Sequence, residues 1–97
     1  MNDVQLEQAI ASRPFEKVTK EGIEQRIVGC DYIVLPNSTT TICNIKMVNG
    51  FSVRGESSCV DSRNFDMEIG RQIAYRDAFS KLWQLEGYLL AEKRSRA

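Results

Sequence analysis

The stretch TTTICNIKMVNGFSVRGESS, residues 39–58, places the dipeptide Asn49-Gly50 between two segments in which apolar and polar residues alternate. An Asn-Gly pair in this position is a strong signal for a β-hairpin. A two-residue turn would mix apolar and polar residues on both faces of the hairpin. A three-residue loop, Val48 to Gly50, instead gives one apolar face, because side chains in strands alternate with a period of two. We therefore predict the three-residue loop.

The predicted register pairs Ile45 with Val53 and Cys43 with Gly55. Gly50 would take a positive φ in a type I turn followed by a bulge, a conformation that glycine adopts without steric cost. The apolar face of the hairpin then consists of Cys43, Ile45, Met47, Phe51 and Val53. The polar face consists of Asn44, Lys46, Ser52, Arg54 and Glu56.

The chain has three cysteines, Cys30, Cys43 and Cys59, and none of them is in a CxxC pair. In the predicted register Cys59 faces Thr39 and not Cys43, so these two thiols should not form a disulfide, which needs Cα atoms within roughly 7 Å. An odd number of cysteines without such spacing is typical of a reducing compartment. We expect free thiols and a cytoplasmic location.

The N-terminal sequence predicts a short helix over residues 3–12, with Asp3 as its N-cap and Leu6 and Ile10 on one face. Pro14 should end this helix, because the residue before a proline is pushed out of the helical region. The first ten residues lack a basic segment followed by an apolar one, so they do not predict a signal peptide.

The segment VTKEGIEQRIVG predicts a second helix. Thr19 is its expected N-cap, Val18 and Ile23 form a hydrophobic staple, and Gly29 is placed to stop the helix. The following DYIVLP, residues 31–36, is β-branched and aromatic and is halted by a proline, which is typical of an edge strand or an extended connector.

A long helix is predicted after the hairpin. Asp61 is its expected N-cap, with Val60 and Phe65 as a staple around the cap. If Asn64 is the cap instead, Asp66 and Glu68 (the other acidic residues of this segment) fall in the first turn and interact favourably with the helix dipole. Both alternatives give these acidic residues a structural role in place of a catalytic one.

The long helix has an unusually wide apolar surface. Asp77, Ser80, Lys81 and Gln84 form its polar side; Tyr75, Ala78, Phe79, Leu82, Trp83, Leu89 and Leu90 lie broadly opposite. One hairpin does not cover this surface, so we expect a homo-oligomer, with a symmetric dimer favoured. The expected interface residues are Ile69, Ile73, Phe79 and Trp83. Gly87 should kink or end the helix, and the basic tail 91–97 should fray.

These elements predict one α+β domain over residues 1–97: short N-terminal helices, a small antiparallel sheet built on the hairpin at about 39–58, and a long C-terminal helix packed across it. Thirteen basic and thirteen acidic residues balance, which argues against nucleic-acid binding. No apolar run reaches the roughly 20 residues of a membrane span. The chain has no histidine, the commonest general acid or base and metal ligand. We expect no catalytic residue, metal or cofactor.

One candidate for ligand binding is an anion site near the start of the long helix, where free backbone N–H groups attract negative charge. Its members would be Ser57 and Ser58, with Arg54, Arg63 or Arg71 as the countercharge. The alternative is that the two serines cap the ends of a strand and a helix, as small hydroxyl residues often do.

Cys59 is a second candidate residue, because a cysteine near a helix N-terminus can be stabilised as a thiolate. The chain offers no histidine as its base, however, and an unpaired cysteine more often packs as a small apolar residue. We expect Cys59 to be a packing residue and the protein not to be an enzyme.

The order of motifs NGF, GES-C-VD, NFD-EIG, IA, KLW and EGYLL, between about residues 39 and 90, resembles a family of small proteins of tailed phages and prophages, the gp forty-nine/gp sixty-six family. Residues 1–18 show no match to it, and Ser62 stands where family members often have proline. The resemblance implies a phage or prophage accessory protein in the cytoplasm of an infected or lysogenic bacterium. It implies no established activity.

We therefore expect a non-catalytic protein that binds a host protein, in host takeover or counter-defence. The alternative is an oligomeric sponge that sequesters a small nucleotide ligand between subunits with helix N-termini and arginines. A cysteine-dependent enzyme is the least favoured hypothesis.

Overall fold

The computed structural model describes residues 2–12 and 16–96. The elements follow in the order α1 (Asp3–Ala11), α2 (Lys20–Gln25), β1 (Ile27–Val34), β2 (Thr40–Met47), β3 (Ser52–Ser58), a 3-10 turn (Ser62–Asn64) and α3 (Met67–Ser95). The three strands form an antiparallel sheet in the order β1-β2-β3. Helix α3 packs across one face of this sheet, over β2 and β3. The predicted α+β class is confirmed.

The hairpin of β2 and β3 has the predicted three-residue loop and register. Ile45 pairs with Val53 and Cys43 pairs with Gly55. Gly50 has a φ of 89° and donates its N–H to the carbonyl of Met47 at 2.9 Å. The prediction fails at Phe51, which is 56% exposed. Phe51 precedes the first residue of β3 and lies at the end of the sheet, outside the buried core.

Strand β1 starts earlier than the sequence predicts. The predicted stop of α2 at Gly29 is wrong, since α2 ends at Gln25 and Arg26 caps it. Residues Ile27–Val34 then pair with β2 along its whole length, with a bulge after Ile27. Of the two alternatives for residues 31–36, the structure therefore has the edge strand. β-Branched residues at its start favour a strand once β2 supplies hydrogen-bond partners.

Both caps predicted for the long helix are wrong. Asp61 caps the 3-10 turn, where its side chain accepts the N–H of Arg63, and Asn64 lies inside that turn. Asp66 is the N-cap of α3 and accepts from the N–H groups of Glu68 and Ile69. The staple is also wrong at Val60, whose side chain is fully exposed. Asp61 and Asp66 each lie directly before a helical turn and both suit the N-cap role, and the extended backbone at residue 65 separates the two turns.

Helix α3 continues through Gly87 to Ser95, so the glycine does not end it, and residues 91–95 of the basic tail are helical. A single core forms where α3 and α2 meet the inner face of the sheet. Its buried apolar residues are Ile23, Cys43, Ile45, Met47, Val53, Ala74, Ala78, Phe79 and Leu82. At its edge Arg26 donates to Glu86 at 2.9 Å, which ties the end of α2 to α3.

The predicted first helix is present as α1, with a corrected cap. Asn2 and not Asp3 is the N-cap, and it forms a capping box with Gln5. The expected stop at Pro14 lies outside the described residues. Thr19 caps α2 as predicted, with Gly22 donating to its hydroxyl, and the staple residues Val18 and Ile23 both pack in the core.

Candidate functional site

An open groove of about 700 Å³ runs beside α3, where the sheet extends beyond the cover of the helix. Tyr32 of β1 contributes to it from the inner face of the sheet, because it pairs with the buried Cys43 of β2. We call this feature the aromatic groove. It is lined by Lys20 and Glu24 of α2, by Tyr32 of β1, and by Glu68, Arg71, Gln72, Tyr75, Arg76, Phe79, Ser80 and Trp83 of α3.

The α3 wall of the aromatic groove is a row of rings at helical spacing. Tyr75, Phe79 and Trp83 are four residues apart and so lie on one face of the helix. The ring centroids of Tyr75 and Phe79 are 5.8 Å apart, and those of Phe79 and Trp83 are 6.2 Å apart in an edge-on arrangement. These distances lie in the range of favourable aromatic pairs. Phe79 anchors the row in the core, while Trp83 is 42% exposed.

Arg71 connects the α3 wall to β1. Its guanidinium lies 5.7 Å from the centroid of the Tyr32 ring, within the range of a cation–π interaction. One turn further along α3, Tyr75 follows Arg71 on the same side of the helix. The contact therefore places the Tyr32 ring next to α3.

The groove has mixed charge. Lys20, Arg71 and Arg76 are positive and Glu24 and Glu68 are negative, and none of these five side chains forms an ion pair within the part of the chain that the structure describes. The lining thus offers both signs of charge next to exposed aromatic surface. Such a lining can pair with groups of either charge beside its aromatic surface.

Burial raises the pKa of several groups around Tyr32. The pKa of Tyr75 is raised first by burial and then by the thiol of Cys30, and the pKa of Cys30 is raised by burial and by the charge of Asp31. Burial also raises the pKa of Cys43. A thiol with a raised pKa is a poor nucleophile, because the thiolate is the reactive form. The raised pKa values of Cys30 and Cys43 therefore do not indicate reactive cysteines.

We predict a late ionisation of Tyr32, whose pKa is raised to about 12, first by burial and then by Cys43 and Cys30. A raised pKa means that the folded state holds the phenol proton more tightly. Its contribution to stability is full below the ordinary value of 10.0 and is lost as pH rises through about 12. Tyrosinate absorbance of the wild type minus that of Tyr32→Phe should give a midpoint near 12. A midpoint near 10 would contradict the packing described for this ring.

The structure does not bring the predicted anion-site residues together. Arg54 and Ser58 lie on the outer face of the sheet. The guanidinium of Arg54 donates there to the side chains of Asn44 and Ser52, and the hydroxyl of Ser58 is hydrogen-bonded to that of Thr40. Ser57 alternates with them and points to the inner face. Arg63 is engaged by the carboxylate of Asp61 at 2.6 Å. Of the predicted set, Arg71 alone lines the aromatic groove.

The predicted interface residues lie on two flanks of α3. Phe79 is mostly buried in the core and Trp83 is in the groove. Ile69 and Ile73 are 58% and 48% exposed and do not line the groove. By helical periodicity Ile69 and Ile73 are centred about 80° round the helix from Phe79 and Trp83, so the two pairs lie on adjacent flanks of α3.

Cys59 is half-buried, and its thiol donates to the carbonyl of Asp61 at 3.1 Å. It therefore lies in the turn between β3 and α3, with its hydrogen-bond donor used by the backbone of the same turn. All three cysteines are free, as predicted.

Sequence reasoning missed most of the aromatic groove. The four-residue spacing of Tyr75, Phe79 and Trp83 was a usable signal for the α3 wall. No local signal places Tyr32 opposite that wall, because its position depends on the pairing of β1 with β2. Within residues 2–12 and 16–96, no helix combines the length and the hydropathy needed to cross a bilayer.

A family model described as the phage protein (N4 Gp49/phage Sf6 gene 66) family matches residues 18–94. This match includes α2, the whole sheet and nearly all of α3, and so every residue of the aromatic groove. No curated protein and no solved structure matched the chain.

Proposed function

Since the chain belongs to the phage protein (N4 Gp49/phage Sf6 gene 66) family, we propose that it is a phage accessory protein that binds a host protein and performs no catalysis. The setting is host takeover or counter-defence in the cytoplasm of an infected or lysogenic bacterium. The aromatic groove is the docking site. The observation that supports this proposal most is the composition of the groove.

Tyrosine, tryptophan and arginine are the residues that dominate binding energy at protein interfaces. The aromatic groove presents Tyr32, Tyr75, Trp83, Arg71 and Arg76 on one continuous surface. Outside such sites, a half-exposed tryptophan on a soluble protein exposes apolar area to water without a compensating contact. A protein partner that inserts apolar side chains beside Trp83 and pairs with the charges at the rim would use all of these groups.

A small nucleotide is the second candidate ligand. The observation that favours it is the contact of Arg71 with Tyr32, since arginine and aromatic faces together stack bases and attract phosphates. Two features favour the protein partner instead. The carboxylates of Glu24 and Glu68 repel phosphate, and the groove is open, whereas small-molecule sites usually enclose most of their ligand.

We predict that Trp83→Ala reduces capture of the host partner at least tenfold, which corresponds to about 1.4 kcal/mol of binding free energy. Truncating a central tryptophan at an interface commonly costs that much or more. The measurement is affinity capture from lysate of the bacterial host with quantitative mass spectrometry, using the whole chain as bait. Tyr88→Ala is the matched control, because Tyr88 is a 75% exposed aromatic residue of α3 that does not line the groove.

Both variants should first show the circular dichroism of the wild type, so that a loss of capture is a loss of contact. Equal capture by Trp83→Ala and the wild type would reject the groove as the docking site. Thermal-shift measurements with a panel of cyclic nucleotides test the second candidate ligand, a small nucleotide. A ligand at a hundredfold excess over its dissociation constant stabilises the folded state by about 2.7 kcal/mol, and such a result would replace the host protein by a nucleotide.

A further inference from the structure

The two edges of the sheet differ in how their backbone groups are satisfied. At the β3 edge, the side chain of Asp77 accepts the N–H of Glu56 at 3.0 Å, and the ammonium of Lys81 donates to the carbonyl of Arg54. Two side chains of α3 therefore occupy positions that an additional strand would need. Sheets of natural proteins commonly block their edges in this way, since an open edge pairs with other chains.

The β1 edge is open. The N–H of Leu35 donates to the carbonyl of Thr40 on β2. In an antiparallel pair every second residue bonds the neighbouring strand, so the backbone groups of Gly29, Asp31 and Ile33 also point to β2. The N–H and C=O groups of Cys30, Tyr32 and Val34 then point outward. Among residues 2–12 and 16–96, no side chain and no segment outside the sheet hydrogen-bonds these outward groups.

The residues around this edge are apolar as well as unpaired. Val28 is 65% exposed, Ile33 is 56% exposed and Leu35 is 40% exposed, and Asp31 is the one charged residue of the strand. An eight-residue strand with an apolar, unprotected edge is a template for β-pairing. The β1 edge thus lacks the side-chain protection that Asp77 and Lys81 give the β3 edge.

We propose that the β1 edge pairs with β1 of a second copy of this chain. The two strands run antiparallel about a two-fold axis at Tyr32, so that the two sheets join into one of six strands. The formal net charge of the chain is zero, so two copies meet without overall repulsion.

The register follows from hydrogen bonding and charge. With the axis at Tyr32, Tyr32 pairs with the partner's Tyr32 and Cys30 pairs with the partner's Val34, and every outward N–H meets an outward C=O. An axis at Asp31 would put two carboxylates directly opposite each other, which is destabilising. An axis at Ile33 would put Cys30 opposite the partner's Pro36, which has no N–H to donate. The axis at Tyr32 is the one register of the three without either defect.

This pairing changes the aromatic groove. A two-fold axis perpendicular to the sheet keeps both α3 helices on the same face. Tyr32 of each subunit then lies at the seam, and the two grooves adjoin across it. The dimer would thus present one shared cleft between two aromatic helix walls. The dimer itself is independent of what the cleft binds, so its test is separate from the capture of a host protein.

The first test is the mass of the intact protein by size-exclusion chromatography with light scattering at micromolar concentration. We expect a dimer for the wild type and for Tyr32→Phe, which leaves the backbone unchanged. We expect a folded monomer for Tyr32→Pro, because proline removes an outward N–H and is tolerated on an edge strand. A monomeric wild type, or a dimeric Tyr32→Pro with native circular dichroism, would overturn the proposal and leave the edge to a strand of another protein.

The second test fixes the register and does not depend on whether the proline variant folds. In Val34→Cys, the new thiol lies opposite the partner's Cys30, so mild oxidation should give a covalent dimer on a non-reducing gel. Ile33→Cys is the matched control, since this neighbour points to the outer face and lies opposite the partner's Asp31. Cross-linking of Val34→Cys at the level of the control and the wild type would overturn the register and the pairing.

Discussion

Gly55→Ala is expected to lower the free energy of unfolding by about 3 kcal/mol, the upper end of what overpacking a core usually costs. A Cβ atom at Gly55 would lie 2.3 Å from the carbonyl oxygen of Ala74 and 2.2 Å from the backbone nitrogen of Ala78. Both are backbone atoms of α3, so no rotamer change can relieve the clash. The helix would have to move away from the sheet, and the packing of Ala74 and Ala78 against β3 would be lost.

The measurement for Gly55→Ala is urea unfolding followed by circular dichroism, compared with Gly87→Ala as a control. Gly87 lies in α3 with no neighbouring atom within 4 Å of a Cβ at that position. Alanine there should stabilise the helix by about 1 kcal/mol, because glycine is a poor helix former. The same substitution is thus expected to act with opposite sign at two positions. Equal midpoints for the two variants would contradict the close approach of α3 to β3.

Thr41→Val is expected to raise the free energy of unfolding by about 1–3 kcal/mol, the usual cost of a buried polar group without a partner. Thr41 is 1% exposed, and within the described residues its hydroxyl has no hydrogen-bond partner. The hydroxyl faces Gly70 of α3, where a Cβ would come within 2.8 Å of it. Valine keeps the branched shape and replaces the hydroxyl by a methyl group, so the desolvation cost disappears.

The control for this prediction is Thr41→Ala, which removes the hydroxyl but leaves a small cavity, and so should be less stable than Thr41→Val. Thermal unfolding separates the variants, since 1 kcal/mol corresponds to roughly 4–8 °C in a domain of this size. A Thr41→Val protein that melts below the wild type would show that the hydroxyl has a partner in solution. Thr41 would then be a hydrogen-bonded group between sheet and helix.

These two positions show how closely α3 lies on the sheet. Gly55 of β3 and Gly70 of α3 are both buried, and their lack of a Cβ lets the backbone of α3 lie close to the sheet. The helix therefore contacts β2 and β3 and leaves the inner face of β1 to α2 at one end and to the aromatic groove at the other. The groove exists because the helix is held over one side of the sheet.

Much of the hairpin could be predicted from local sequence. The alternation of apolar and polar residues and the need for a positive φ at Gly50 depend on neighbours in the chain, so the register was correct down to the pair of Cys43 with Gly55. The start of α3 was not predicted, because Asp61 and Asp66 both satisfy the chemistry of an N-cap. Which aspartate caps the long helix depends on the path of the chain between β3 and the face of the sheet on which α3 packs.

The strands of the hairpin, the long helix and the lack of a disulfide pattern follow from local sequence, because turn chemistry, side-chain period and cysteine spacing act over a few residues. Only the folded chain shows that residues 27–34 form an edge strand, that Tyr32 contacts Arg71, and that one sheet edge is blocked while the other is open. Those features depend on contacts between residues far apart in the chain. Such contacts form only when α3 packs against the sheet.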